Sequence, residues 1–312
     1  MLTVRPAGPG DARDICALLN RVDLLETGRP ATDPATVTAD LNHPGTDLAL
    51  DSWLALDSGR PVGWALLRPD GAPDRLDADH YVLPGRPELG LRLLTALEHR
   101  ARTRARALPG ARVRLRQGAR TTFDPGHLAL RGWRPVRRHQ AMVRALDPAR
   151  DLPPAPAPPG PADAPRLRHC AGDPEDPRRA HALVEETFAD HFGHRPRSFE
   201  RWLDAHDAHD LDWSLVWLVA RPGGPDLGVL VARDDRAAMG WIDNLGVRAG
   251  ERGRGLGTLL LRHAFAALAA RGRGSVGLDV DTENSTGAVG LYERVGMRVH
   301  HAVDTWELPL TP

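Results

Sequence analysis

Lysine is missing: all 41 basic side chains in the 312 residues are arginine. That excludes a P-loop, whose phosphate grip needs a Gly-Lys-Ser/Thr step. With abundant Ala, Gly and Pro, the arginine bias reads as G+C-rich codon usage rather than arginine-based recognition. Only two cysteines occur, Cys16 and Cys170, far apart in sequence. They form neither a disulfide framework nor a zinc-ligand spacing, so no metal is expected. Neither charge is in excess, with 41 acidic residues against the 41 basic ones. Binding to nucleic acid through bulk positive charge is therefore not expected. No apolar run approaches the ~20 residues of a membrane span, and the start MLTVRPAGPGDARD lacks a signal-type apolar region. A soluble, cytoplasmic protein with no membrane partner is expected.

The length suggests two domains of about 150 residues each. A hydrophobic content of 41% against 26% charged is ordinary globular composition and excludes disorder throughout. Residues 147–165 read DPARDLPPAPAPPGPADAP, with eight prolines in nineteen positions. Such a stretch favours extended polyproline conformations and acts as a semi-rigid spacer. It divides the chain into 1–146 and 166–312. The two halves look like copies: Val4 aligns with Leu167, Trp53 with Trp217, Gly63 with Gly228 and Gly132 with Gly296. An ordered series at a nearly constant offset indicates internal duplication.

Each half begins with a short strand, Thr3–Pro6 or Arg166–His169, followed by a helix starting near Asp11 or Asp173. Strand–turn–strand segments follow, Trp53–Leu56 with Val62–Arg68 and Leu215–Ala220 with Gly228–Arg233. In the second half come a strand at Trp241–Val247, a helix at Thr258–Arg271 and a strand at Val276–Val280. A helix at Thr286–Val295 and a strand at Thr305–Leu308 complete it. The alternation predicts an α/β fold, a mixed sheet with helices on both faces in each half.

The most informative turn is Arg252-Gly253-Arg254-Gly255-Leu256-Gly257-Thr258, between the strand ending at Val247 and the next helix. Three spaced glycines let backbone N–H groups converge on one point. The helix start adds unpaired N–H groups and a positive dipole end, and Arg252 and Arg254 add charge. The expected ligand is a phosphate or diphosphate. A dinucleotide fingerprint is the rival, with Asp279 about 20 residues downstream. The glycines, however, are spaced G-x-G-x-G, not G-x-G-x-x-G, and the unit lies late in its domain.

Arg252-x-x-Gly255-x-Gly257 followed by a helix resembles the acyl-CoA diphosphate loop of the GCN5-related N-acetyltransferases (GNAT). A second motif resembles that family's N-x-x-x-A-x-x-L-Y-x-x-x-G-F: Asn284, Ala288, Leu291, Tyr292 and Gly296 stand in place, with Met297 for the Phe. The resemblance covers about residues 166–310 directly and 2–146 in weaker form. It implies two tandem GNAT-like domains, each with a mixed, mostly antiparallel twisted sheet flanked by helices. It also implies an N-acetyltransferase using acetyl-CoA or another acyl-CoA, with transfer by direct attack of a primary amine on the thioester.

The resemblance also implies the roles of single residues. Tyr292 protonates the departing thiolate. The strand ending at Val247 splays from its neighbour, and backbone groups at Leu245, Gly246 and Val247 hold the pantetheine arm and the thioester carbonyl. Asn284 and Ala288 line the same path, and the loop from Arg252 to Thr258, Leu256 included, holds the diphosphate. For the base that takes the amine proton the sequence offers Asp243, with Asp279 and Asp281 as rivals. Strand alternation places Asp243 on the face of Trp241, Leu245 and Val247, with Asn244 pointing the other way.

In the first half Asn284, Ala288 and Tyr292 align with Arg120, Asp124 and Leu128, the loop YVLPGRPELG is shorter, and Pro87 removes an N–H donor. That half is expected to be a degenerate, non-catalytic copy. The helical region after Arg166–His169 supplies acidic and aromatic side chains, among them Glu186, His191 and Trp202. Together with Asp281 these suit a cationic or polar small-molecule amine. The tandem layout is similar to the mycothiol synthase family, whose acceptor is a cysteinyl pseudodisaccharide, and to acetyltransferases acting on antibiotics and natural products. Acetylation of proteins or peptides, and a non-catalytic acyl-CoA sensor, stay open as alternatives. A monomer or a homodimer is expected.

Overall fold

A computed structural model describes the chain except residues 31, 71–73, 107, 153–163, 206–210, 235–238, 285 and 311–312. Most of the proline-rich spacer thus lies outside the described residues. The first stretch runs β1 (Leu2–Arg5), α1 (Ala12–Thr27), α2 (Pro34–Leu41), α3 (Leu48–Asp51), β2 (Ser52–Asp57) and β3 (Arg60–Pro69). It continues through β4 (Arg75–Val82), α4 (Pro87–Ala105), β5 (Arg112–Gly118), α5 (Gly126–Leu130) and β6 (Arg134–Ala145). The second stretch opens with β7 (Arg166–His169), α6 (Asp176–Phe188), α7 (Phe199–Ala205), β8 (Val216–Ala220) and β9 (Asp226–Arg233). It ends with β10 (Gly240–Val247), α8 (Leu256–Ala270), β11 (Ser275–Asp281), α9 (Ala288–Arg294) and β12 (Arg298–Pro309).

Two compact units result. The first comprises residues 1–140 and 301–312, the second residues 141–300. The sequence places its division in the spacer at 147–165; the units divide earlier, and the first takes back the C-terminal strand. The cause is strand pairing: β12 runs antiparallel to β5, from Val303 opposite Gly118 to Pro309 opposite Arg112. The end of β6, by contrast, contributes Met142 to the second unit's core, and Leu146 N–H donates to Gly274 O at 2.9 Å. Unit 1 has the strand order β1-β2-β3-β4-β5-β12, and unit 2 has β7-β8-β9-β10-β11 with the end of β6. Most neighbours are antiparallel; β4 with β5 and β10 with β11 are parallel.

In unit 2, glycines reveal which helix covers which face. A Cβ on Gly228 would lie 3.2 Å from Leu260 of α8, whereas one on Gly246 would collide with Thr187 of α6. Gly228 pairs with Val247, and Gly246 with Val229. Helix α8 therefore covers the Gly228/Val247 face and α6 the opposite one. On α8, Leu260, Leu261, Ala264, Phe265 and Leu268 are buried at helical spacing, and Gly272 (φ +80°) follows its end. Expected and observed bounds agree within about three residues, except that β12 begins seven residues before the expected Thr305. Its first residues, Arg298, Val299 and His300, are exposed, so no alternation marks them as strand.

Candidate active site

The parallel pair β10–β11 is hydrogen-bonded only at its start. Pairing runs from Gly240 opposite Val276 to Ile242 opposite Leu278 and then stops, although β10 continues to Val247. Beyond Ile242 the strands diverge, which opens a wedge whose one wall is the edge of Asn244–Val247 that β11 does not pair. Backbone N–H and C=O groups on such an edge need partners.

The edge is also bulged. On the β9 side Ile242 faces Ala232 and Asn244 faces Val231, so Asp243 is the extra residue. This corrects the strict alternation expected from the sequence. Asn244 and Gly246 share the α6 face with Val231 and Val229, while Leu245 and Val247 pack on the α8-side core. Asp243 does not share the face of Leu245 and Val247. Its Oδ2 lies 3.8 Å from Nε of Arg233, which pairs with Trp241 and belongs to the α6 face. The bulge thus brings Asp243 to join Asn244 on the α6 side, and Asn244 Oδ1 is buried without a hydrogen-bond partner.

Past Val247 the chain makes a short turn and enters the glycine loop. Gly253 and Gly255 have φ of +76° and +82°, and a Cβ on either would touch nothing. Their need for glycine is conformational. Gly257 has a different reason: a Cβ there would come within 2.9 Å of Leu291 on α9. Gly255 caps α8 with no side-chain hydrogen bond. The N–H groups of Leu256, Gly257 and Thr258 therefore point out of the helix start without helical partners. Arg252 donates to Val247 O at 3.1 Å, and Arg254 is paired with Glu251 at 3.2 Å.

Tyr292 lies on α9, 7% exposed, in the core that also holds Leu256, Leu260 and Leu261. Burial pushes its phenol up to about 12. Asn284 precedes α9. Its Oδ1 accepts from Thr286 N–H at 2.9 Å, and its Nδ2 lies 3.4 Å from Nε2 of His191, just beyond α6. Burial holds His191 below the usual histidine range, with Asp281 and Arg252 among the charges it feels. The residues expected to bind the acceptor thus divide. His191 and Asp281 lie beside Asn284; Glu186 is exposed and paired with Arg248 at 2.8 Å. Trp202 is fully buried between Phe199, His181 and Trp213, and offers a ligand no surface. Ala288 opens α9 and packs against the core. Sequence reasoning did not offer Asn244 as a site residue; alternation with Leu245 already sets it on the α6 face, and the bulge brings Asp243 to join it there.

Unit 1 builds the same frame differently. Its β4 pairs with β3 without a register shift, so no residue is extruded. The connection to α4 is four residues, 83–86, against eight, 248–255, before α8. Arg86 at its end is tied to Asp57 at 2.8 Å. Pro87 occupies the first position of α4, and Phe123 packs so closely on Gly90 in its first turn that no Cβ fits between them. His80 of β4 lies against the same ring, with centroids 4.7 Å apart.

Comparison with known proteins agrees with this geometry. Residues 180–297 match the acetyltransferase (GNAT) family. A mycothiol acetyltransferase of Beutenbergia cavernae is 36% identical over 140 residues, 42% of this chain and 44% of that relative. The chain thus matches less than half of that relative's length. The crystal structure of a GCN5-related N-acetyltransferase from Sphaerobacter thermophilus shares 28% identity at a TM-score of 0.78, over 100% of this chain and 96% of that one. A tandem GNAT protein from the clavulanic acid biosynthesis pathway has the same fold, with a TM-score of 0.67 at 18% identity over 100% and 99% of the two chains.

Proposed function

We infer, for a chain whose residues 180–297 match the acetyltransferase (GNAT) family, that unit 2 moves an acetyl or short acyl group from coenzyme A to a primary amine of a small molecule. The observation that carries this reading is the wedge beside the bulged edge of β10, with the uncapped start of α8 at one end and Tyr292 close to its core. An acyl-CoA fits these residues by chemistry. The α8 N–H groups at 256–258, with Arg252 and Arg254, suit a diphosphate. The free edge at Leu245–Val247 suits an amide-bearing arm, and an edge N–H can donate to an oxyanion.

In this reading the amine nitrogen attacks the thioester carbonyl, a C–N bond forms and the C–S bond breaks. Asp243 accepts the amine proton, directly or through water, and Tyr292 donates its phenolic proton to the leaving sulfur. A phenol raised to about 12 stays protonated at neutral pH and is available as a donor. The apolar wall that raises it raises a thiolate beside it in the same sense, so the two remain matched. Asn284, His191 and Asp281 line the acceptor side, where the carboxylate attracts a cationic amine. The test is release of free thiol from acetyl-CoA against a panel of small amines. No release with any amine, despite tight binding, would favour a non-catalytic acyl-CoA sensor.

The relative named mycothiol acetyltransferase supports a narrower second reading, with a cysteinyl pseudodisaccharide as acceptor. That compound belongs in the same panel, beside a peptide N-terminus. We further propose that unit 1 is a non-catalytic copy. The unbulged β4, Pro87 at the start of α4 and Phe123 packed on its first turn support this.

A further inference from the structure

Unit 2 holds a cavity of about 710 Å³ that the proposed chemistry does not use. One wall is a face of α8, where Thr258, Arg262 and Phe265 recur at helical spacing. The others are the end of α9 at Arg294 and the segment running from Arg144 to Leu152. Four guanidinium groups meet there against one carboxylate, Asp151. Two of the four are already engaged. Arg144 donates to Asp151 at 2.5 Å and lies over the Phe265 ring at 4.7 Å, and Arg150 is paired with Asp147 at 3.5 Å. Asp151 is further occupied by the Asp147 N–H at 2.9 Å. Arg262 and Arg294 make no hydrogen bond or ion pair among the described residues, so two positive charges face the cavity uncompensated.

Two unpaired arginines on one concave surface fit a phosphate monoester, which carries between one and two negative charges at neutral pH and accepts forked N–H donation. Position narrows its source. Thr258 belongs both to the helix start that suits a diphosphate and to the rim of this cavity. The Arg262 backbone lies one turn, ~6 Å, further along the same face. A ligand with a diphosphate at the helix start and a further phosphate one ribose away spans that step. We propose that Arg262 and Arg294 receive the ribose 3′-phosphate of the acyl-CoA, so that unit 2 discriminates coenzyme A from its 3′-dephospho form. This rests on the acyl-donor reading given above.

The test is calorimetric titration of the full chain with acetyl-CoA and with acetyl-3′-dephospho-CoA, for the wild type and for an R262A/R294A variant. Both side chains are unpartnered, so their removal leaves no buried group stranded. The wild type is expected to bind the dephospho compound roughly 10- to 100-fold more weakly, the range for losing a charged hydrogen-bonded contact. The variant is expected to bind both compounds alike, at the wild-type affinity for the dephospho form. Equal wild-type affinities, or a variant that still discriminates, would overturn the proposal and leave the acyl-donor reading intact. A wild type that binds neither compound would remove that reading, and the 3′-phosphate assignment with it.

Discussion

Asn284 and His191 stand 93 positions apart in the chain, yet Asn284 Nδ2 lies 3.4 Å from His191 Nε2. The amide can donate only if Nε2 is unprotonated, which requires a neutral ring with its proton on Nδ1, and burial favours the neutral ring of His191. Acid therefore breaks the contact only below the ordinary histidine range. His191→Ala is expected to raise KM for the amine ~10-fold while changing kcat less, the signature of lost positioning rather than lost proton transfer. Steady-state kinetics with saturating acetyl-CoA measures this.

Replacing Tyr292 by Phe keeps the packing of α9 and removes only the hydroxyl. The expected result is a ~10²- to 10⁴-fold fall in kcat with little change in KM for acetyl-CoA. Because the phenol lies at about 12, the wild-type rate is expected to show no downturn from this group between pH 7 and 10. A pH–rate profile of both proteins checks the two statements together.

The glycines of the loop predict two distinct kinds of damage. Gly255→Ala places a Cβ in open space but at φ +82°, which costs about 1–2 kcal/mol of backbone strain. It is expected to weaken acetyl-CoA binding by distorting the helix start. Gly257→Ala pushes on Leu291, 2.9 Å away, and so on the helix that carries Tyr292. It is expected to lower kcat more than it raises KM for acetyl-CoA. Kinetics of the two variants side by side separates the effects.

Much of this was legible in the residues. The run from Arg252 to Thr258 announces a turn into a helix by its spaced glycines, two of which take positive φ just before α8. The stretch from Asn284 to Met297 announces its helix by spacing. Asp243 was found but misplaced, since a single extruded residue reverses the alternation beyond it and leaves no mark in composition. The return of β12 to β5 was also hidden, because strand partners far apart in sequence are chosen by tertiary packing, and a proline-rich stretch looks like a boundary whether or not the units divide there. Trp202 reads equally as a pocket wall or as core, and only its complete burial decides.

If Asp243 takes the amine proton, Asp243→Asn is expected to lower kcat/KM ~10²-fold or more and to abolish the rise of rate with pH that this carboxylate controls. The change also removes the ion pair with Arg233, 3.8 Å away, so thermal melting of the variant is measured alongside. A variant that melts like the wild type yet keeps an unchanged profile would shift the base to Asp279 or Asp281.

The central claim is that unit 2 alone grips an acyl-CoA, through the start of α8. A crystal structure of the full chain with acetyl-CoA tests it most directly. The account predicts one molecule per chain, its diphosphate on the N–H groups of residues 256–258 and its thioester beside Tyr292. Diphosphate density at the start of α4, or none at the start of α8, would contradict it.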